Sequence, residues 1–400
     1  MQAAVSAGLA SEGADVVDVG VLPTPALAWL SSDRGVPAMV ISASHNPFAD
    51  NGVKVFAAGG LKLASEIERA IEAEVESLQL PEAPPRPLGE KVGSLCRDEA
   101  ASTTYVEHIV GMLEGRRLDS MKVVVDCANG AASEVAPMAL ERLGADLHTI
   151  CAAPTGTNIN DGCGSTHPEL LAEQVVARGA EVGIALDGDA DRLVAVDHTG
   201  HVWTGDELLA LFAADLAGRS ELAGGVVVTV MTNLGFRKAM AEHGIEVVET
   251  PVGDRHVLEA LEERSMVLGG EQSGHIIFRH LATTGDGLLT AILLLDLVHR
   301  SERTLSELLA GSMKRLPQLL ENVHVADPRS VVEDEAVREA VAEVERRLGD
   351  QGRIVLRASG TEPLVRVMVE ASEEHEAREV LEYLCQAVQG AGTSKGAPAP

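Results

Sequence analysis

The chain has 400 residues, 46% hydrophobic and 23% charged, which is enough for roughly two to four globular domains and too apolar for a disordered chain. Its formal charge of −29 argues against nucleic-acid and anionic-membrane partners, and an anionic ligand would need arginines gathered locally. No apolar run approaches the ~18 residues needed to span a bilayer. The first residues lack a basic and apolar signal pattern. Five scattered cysteines without a CxxC pair argue against a disulfide framework or a zinc site and fit a reducing cytosol.

In chain order, β-branched runs predict strands over 15–20, 37–41, 122–127, 182–186, 226–230 and 266–268. Amphipathic patterns between them predict helices near 24–31, 99–113, 132–143, 168–178, 205–217, 234–243 and 254–263. The alternation predicts an α/β protein with mostly parallel sheets. Boundaries are expected in the Pro-rich stretch 79–98, near 198–204 and near 311–325. The remainder, 326–389, reads as helix, strand pair, helix, and the Gly/Ala/Pro-rich tail 390–400 as disordered. Residues 2–12 read as a helix running straight into a strand, an opening that suggests a chain starting inside its first domain.

Four strings can carry chemistry. In ISASHNP, at 41–47, an apolar strand ends and Ser44 enters a tight loop, where ligands bind in open α/β sheets. Taken alone, Ser-His-Asn-Pro is more often a simple turn. In DGDADR, at 187–192, Asp187, Asp189 and Asp191 converge on one side of a loop between two apolar strands. Such closely spaced like charges need a cation, and hard oxygen ligands suit Mg²⁺. An EF-hand is rejected because its sixth position is Arg192 and its twelfth His198. A solvated acidic turn fits less well, with apolar strands on both sides. In GEQSGH, at 270–275, Glu271, Ser273 and His275 suit sugar hydroxyls, or form any polar loop. In RASGTE, Arg357, Ser359, Gly360 and Thr361, with Arg366 on the next strand, offer a phosphate cradle or a plain Gly turn in a hairpin. Arg192, Arg255 and Lys54 add the local positive charge that an anion would need.

In this order the four strings resemble the α-D-phosphohexomutase superfamily, over about residues 1–389. The chain is most similar to its bacterial glucosamine-phosphate branch, on ISASHNP, on NINDGCGSTHPE at 158–169 and on GEQSGH. Branches acting on mannose and glucose phosphates usually carry a different residue at Gln272 and lack CGSTHPE. The resemblance implies three α/β domains (1–98, 99–200, 201–314) and a smaller α+β domain (315–389) around one cleft. It implies a phosphoserine at Ser44, and Mg²⁺ on Asp187, Asp189, Asp191 and Ser44. Sugar recognition falls to Glu271, Ser273 and His275, phosphate binding to Arg357, Ser359, Gly360, Thr361 and Arg366, and acid–base or phosphate contacts to His45 and Lys54. The implied reaction is interconversion of glucosamine 6-phosphate and 1-phosphate through a sugar 1,6-bisphosphate, in a cytoplasmic monomer or homodimer on the route to UDP-N-acetylglucosamine. A sister mutase for glucose or mannose phosphates, and a phosphosugar-binding protein without turnover, are the alternatives. One departure stands out: the family's opening strand and arginine-bearing glycine loop have no counterpart, which suggests a shortened first domain.

Overall fold

A computed structural model describes residues 1–77, 86–359 and 362–394 of the chain. Near the N-terminus the helix Gln2–Ser11 leads into the strand Val16–Asp18, which pairs in parallel with Leu95–Arg97. Part of the stretch 79–98, expected to link or edge two units, is a sheet strand, and its residues 79–85 lie outside the described residues. The helix Thr24–Arg34 follows, with Pro25 in its first turn and Gly35 at φ 65° closing its end. It packs on the antiparallel pair Ala38–Ser42 and Gly52–Phe56, and the loop between these strands holds Ser44.

The next sheet has the order Asp146–Ile150, Lys122–Asp126, Val182–Leu186, Leu193–Asp197, Val202–Trp203. Its first three strands are parallel, Leu193–Asp197 runs antiparallel to them, and Val202–Trp203 turns back antiparallel to Leu193–Asp197. Every residue of Val182–Leu186 and Leu193–Asp197 is buried, and Leu186 pairs with Leu193. Residues 187–192 are thus a loop fixed at both ends by core strands. The third sheet, Val247–Thr250, Val226–Thr229, Leu268–Gly270 and Ile276–Phe278, repeats the device. Gly270 pairs with Ile276, so residues 271–275 form the connecting loop.

One continuous core runs from Leu22 to Leu309, through all of these layers. A separate core, from Val323 to Ala391, fills the C-terminal unit. There the antiparallel sheet Gln318–His324, Leu364–Glu370, Arg353–Ala358 carries the helices Glu335–Leu348 and Glu374–Ser394. The architecture is therefore α/β with a smaller α+β unit at the C-terminal end. Residues 390–394, expected to be disordered, continue the last helix and pack Ala391 into its core, while 395–400 lie outside the described residues.

The C-terminal sheet is tied to the third sheet by charge and hydrogen bonds. Arg353 pairs with the fully buried Glu370 at 2.8 Å and donates to the carbonyls of Val230 and Thr232. Glu370 in turn accepts the Leu234 N–H, and Gln318 donates to the Met231 carbonyl. A buried charge pair this well hydrogen-bonded fixes orientation even where its net contribution to stability is small.

Candidate active site

Ser44 follows its strand in a left-handed conformation, φ 52°, which a non-glycine residue adopts only where its surroundings hold it. Its N–H donates to Ser42 Oγ at 2.8 Å, which tightens the turn. Its Oγ lies 3.4 Å from Asp187 Oδ2 and 3.5 Å from His45 Nδ1. The carboxylate loop can come this close because residue 188 is glycine: a Cβ there would lie 2.4 Å from the Ser44 carbonyl oxygen.

Asp187, Asp189 and Asp191 are at most 6% exposed, and one oxygen of each lies within 4.8 Å of the others. Burial, reinforced by Asp191 and Asp189, holds the Asp187 carboxyl well above the usual range. Burial would raise Asp191 too, but His275, Lys54 and Arg192 outweigh it and hold it well below. Asp189 Oδ1 and Asp191 Oδ1 are buried without a hydrogen-bond partner. Three converging aspartates, two of them with an unsatisfied oxygen, fit a small hard cation such as Mg²⁺, which takes oxygen ligands in compact geometry.

Lys54, expected at a phosphate or as an acid–base group, is instead drawn to this negative charge. Its Nζ lies 2.6 Å from Asp189 Oδ2 and 3.2 Å from Asp191 Oδ2. Burial alone would lower its pKa, but the two aspartates raise it, so it stays an ammonium. Thr24 completes the shell by donating through Oγ1 to Asp189 Oδ2 at 2.6 Å. Burial, with Arg192 next in effect, lowers the His45 pKa and leaves the imidazole neutral near pH 7.

Beside this cluster lies a cavity of about 240 Å³ lined by Arg192, Glu271, Gln272, Ser273, Arg357 and Arg366 among others. Arg192 belongs to both places, since its backbone N–H also donates to Asp187 Oδ1 at 3.2 Å. Glu271 is steadied by the Gly253 N–H at 3.1 Å. Gln272 bonds Gln318 of the C-terminal sheet at 2.5 Å, which ties the 271–275 loop to that unit. Arg357 and Arg366 occupy opposed positions on adjacent antiparallel strands.

Three residues expected at the substrate have partners within the protein. His275 does not line the cavity: it is 2% exposed, accepts the Gly285 N–H at 3.2 Å and faces Asp191 at 3.6 Å, so it backs the carboxylate loop. Arg255 forms a 2.7 Å ion pair with Glu68 on the helix Ser65–Ser77 and does not line the cavity. Ser359 bonds within its own turn, accepting the Glu362 N–H at 3.3 Å. Gly360 and Thr361 lie outside the described residues. Sequence reasoning missed Thr24, Asn160, Gly188 and Gln318. The NINDG string could have pointed to Asn160, and the Thr-Pro helix start to Thr24.

Models of the four phosphoglucomutase/phosphomannomutase domains match in order: α/β/α domain I at residues 1–82, domain II at 103–200, domain III at 204–316 and the C-terminal domain at 320–387. The chain is 51% identical over 393 residues to a phosphoglucosamine mutase of Streptomyces coelicolor, covering 98% of this chain and 86% of that one. It is 52% identical to the phosphoglucosamine mutase of Renibacterium salmoninarum over 97% of this chain and 85% of the other. A solved phosphoglucomutase/phosphomannomutase family protein from Burkholderia thailandensis superposes with a TM-score of 0.81 at 26% identity, over 100% of this chain and 87% of that one. N-acetylphosphoglucosamine mutase of Aspergillus fumigatus, solved with GlcNAc-6P and magnesium, shares the fold, with a TM-score of 0.69 at 21% identity over 92% of each chain. The chain belongs to the phosphoglucomutase/phosphomannomutase family, within the phosphohexomutase superfamily.

Proposed function

We propose that this enzyme is an isomerase that interconverts glucosamine 6-phosphate and glucosamine 1-phosphate by way of a phosphorylated Ser44. The carrying observation is Ser44 Oγ, 3.4 Å from a buried carboxylate triad and next to an arginine-lined cavity. The 51% identity to phosphoglucosamine mutases supports the choice of sugar.

In the forward direction the P–O bond to Ser44 breaks as the free O1 of the sugar phosphate attacks, giving the 1,6-bisphosphate. The attacking hydroxyl loses a proton and the Ser44 oxygen gains one. His45, neutral and 3.5 Å from that oxygen, is placed to hold the proton. The bisphosphate then turns over, and its 6-phosphoryl group returns to Ser44 with the opposite proton movement. Asp187, Asp189, Asp191 and the phosphorylated Ser44 would hold Mg²⁺, which supplies charge neutralisation at the transferring group. Arg357 and Arg366 hold the phosphate that is not reacting, so binding energy there orients the reacting end. Glu271 and Ser273 face the sugar hydroxyls. Four domains, with boundaries near residues 98, 200 and 314, place these loops around one cleft.

Among the described residues no helix is long and apolar enough to cross a membrane. A cytoplasmic monomer or homodimer in carbohydrate metabolism, feeding peptidoglycan precursors, is the setting we assign.

The test is ³¹P NMR of the purified chain with Mg²⁺, a trace of glucose 1,6-bisphosphate and glucosamine 6-phosphate, with glucose and mannose 6-phosphates in parallel. A 1-phosphate signal growing fastest from glucosamine 6-phosphate is expected. Faster growth from glucose or mannose 6-phosphate would move the assignment to a sister branch.

A further inference from the structure

We propose that Asn160 is a positioning residue for Ser44, a clamp that holds the phosphoryl-carrying loop against the carboxylate loop. The inference rests on Ser44 being the phosphoryl carrier. Asn160 lies in the NINDG segment that follows the 122–150 part of the second sheet, 116 residues from Ser44 in sequence. Its side-chain nitrogen donates to the carbonyls of Ser44 and Asn46, both at 2.8 Å. The two donors of one amide nitrogen are thus spent on two carbonyls of the Ser44 turn. The first pins the peptide that leaves Ser44, and the second pins the turn two residues on.

The clamp is itself held rigidly. Asn160 is 8% exposed and left-handed at φ 57°. Its N–H donates to the Ala128 carbonyl at 2.9 Å. The buried Asp126, at the end of the strand Lys122–Asp126, accepts the N–H of Ala128 at 2.8 Å and of Gly164 at 2.9 Å, and so staples both ends of the surrounding loops. Gly188 lies directly against the clamp: a Cβ there would be 2.8 Å from Asn160 Nδ2 and 2.4 Å from the Ser44 oxygen. The serine loop, the Asn160 loop and the carboxylate loop therefore meet at one point, which sets the distance from Ser44 Oγ to Asp187.

The residue type follows from this geometry. Aspartate has the same shape but no donor, and brings charge beside two carbonyl oxygens. Serine has one donor. Glutamine is longer by a methylene and would push the serine loop outward. Without the clamp, Ser44 loses the contact that favours its left-handed conformation and relaxes toward ordinary φ. The arginine cavity touches none of these atoms. Loss of the clamp should therefore lower kcat while leaving KM, which the phosphate and sugar contacts dominate, nearly unchanged.

The experiment uses Asn160→Gly, which removes the side chain at a backbone conformation glycine adopts freely, and Asn160→Asp, which keeps the volume and removes the donors. Four quantities are read: kcat and KM for glucosamine 6-phosphate, the rate at which Ser44 takes a phosphoryl group from glucose 1,6-bisphosphate by intact-protein mass, and the shift of the melting temperature caused by inorganic phosphate. We expect kcat and the phosphorylation rate to fall together by about 10–100-fold, as for a reacting group displaced by ~1 Å. KM should stay within about threefold and the phosphate-induced shift should persist. Wild-type turnover and phosphorylation in both variants would overturn the clamp, as would a loss carried wholly by KM. Should the glycine variant fold poorly, Asn160→Asp carries the test by itself, and a phosphorylation rate equal to wild type there would refute the proposal. A wild-type chain on which Ser44 never takes up phosphoryl would instead remove the phosphoserine reading, and the clamp's role with it.

Discussion

Arg357 and Arg366 stand directly opposite each other on adjacent antiparallel strands, two like charges in one cross-strand pair. Such a pair costs stability, up to ~1 kcal/mol, unless an anion lies between or beside the two side chains. Arg366 has Glu362 at 3.4 Å, while Arg357 has no ion pair among the described residues. Burial, and then the like charge of Arg366, lower the Arg357 pKa. A sheet carries this arrangement when its ligand supplies the missing negative charge. Arg357→Gln should raise KM for glucosamine 6-phosphate by about 10–100-fold, the equivalent of one charge-assisted hydrogen bond of ~1.5–3 kcal/mol. The same substitution should shrink the thermal shift caused by inorganic phosphate while leaving the phosphate-free protein at least as stable. A variant stabilised by phosphate as strongly as wild type would take Arg357 out of the anion site.

Ser44→Ala removes the oxygen proposed to carry the phosphoryl group. Alanine tolerates φ 52° no better than serine, so the backbone strain is unchanged and the fold should melt within a few degrees of wild type. Turnover should drop to background, and glucose 1,6-bisphosphate should no longer add mass to the protein. Retained interconversion of the two glucosamine phosphates would exclude a phosphoserine route.

The strands Val182–Leu186 and Leu193–Asp197 were legible because both are buried throughout, so their sequences are apolar runs, broken only by Asp197 at the end of the second. The Asp triad between them was legible for the same reason. The strand Asp146–Ile150 was not, because it lies at a sheet edge, is only partly buried and reads DLHTI. The helix Gly287–Ser301 escaped because it is buried on nearly all sides and so shows no amphipathic period. Motif reading put His275 and Lys54 near the chemistry but not which way they face. His275 is turned inward by the Gly285 N–H, and Lys54 is captured by carboxylates more than 130 residues away in sequence. The Asn160 contact depends on three loops converging from separate layers, which no local pattern encodes.

Lys54 supplies the organic cation of the carboxylate cluster, at 2.6 Å from Asp189 and 3.2 Å from Asp191. Lys54→Met keeps the apolar stem and removes the charge. Asp189 and Asp191 then lose one of their partners, which costs ~3–5 kcal/mol for a fully buried pair and less for a lysine that remains partly exposed. The melting temperature without divalent ion should fall, and the rise produced by saturating Mg²⁺ should exceed that of wild type. A Mg²⁺ response equal to wild type would dissociate Lys54 from the ion-binding carboxylates.

Asp206, in the first turn of the helix Gly205–Gly218, provides a pH test. It is 1% exposed, accepts the Asn233 N–H through Oδ2 at 2.9 Å, and its Oδ1 has no partner. Burial pushes its carboxyl up to about 7. In the unfolded chain it titrates near ~4. Between those values the native state binds the extra proton, so its contribution to stability declines as pH rises from ~4 to ~7 and the penalty is complete above that. Asp206→Asn keeps an acceptor for Asn233, carries no charge and can donate toward the unpartnered Thr232 hydroxyl. The urea midpoint of the variant should exceed that of wild type at pH 8, and the advantage should shrink toward pH 5, where Asp206 is already protonated in the fold. A difference that stays constant from pH 5 to pH 8 would mean that the buried carboxyl does not titrate in this window, and the gain would then belong to the new hydrogen bond alone.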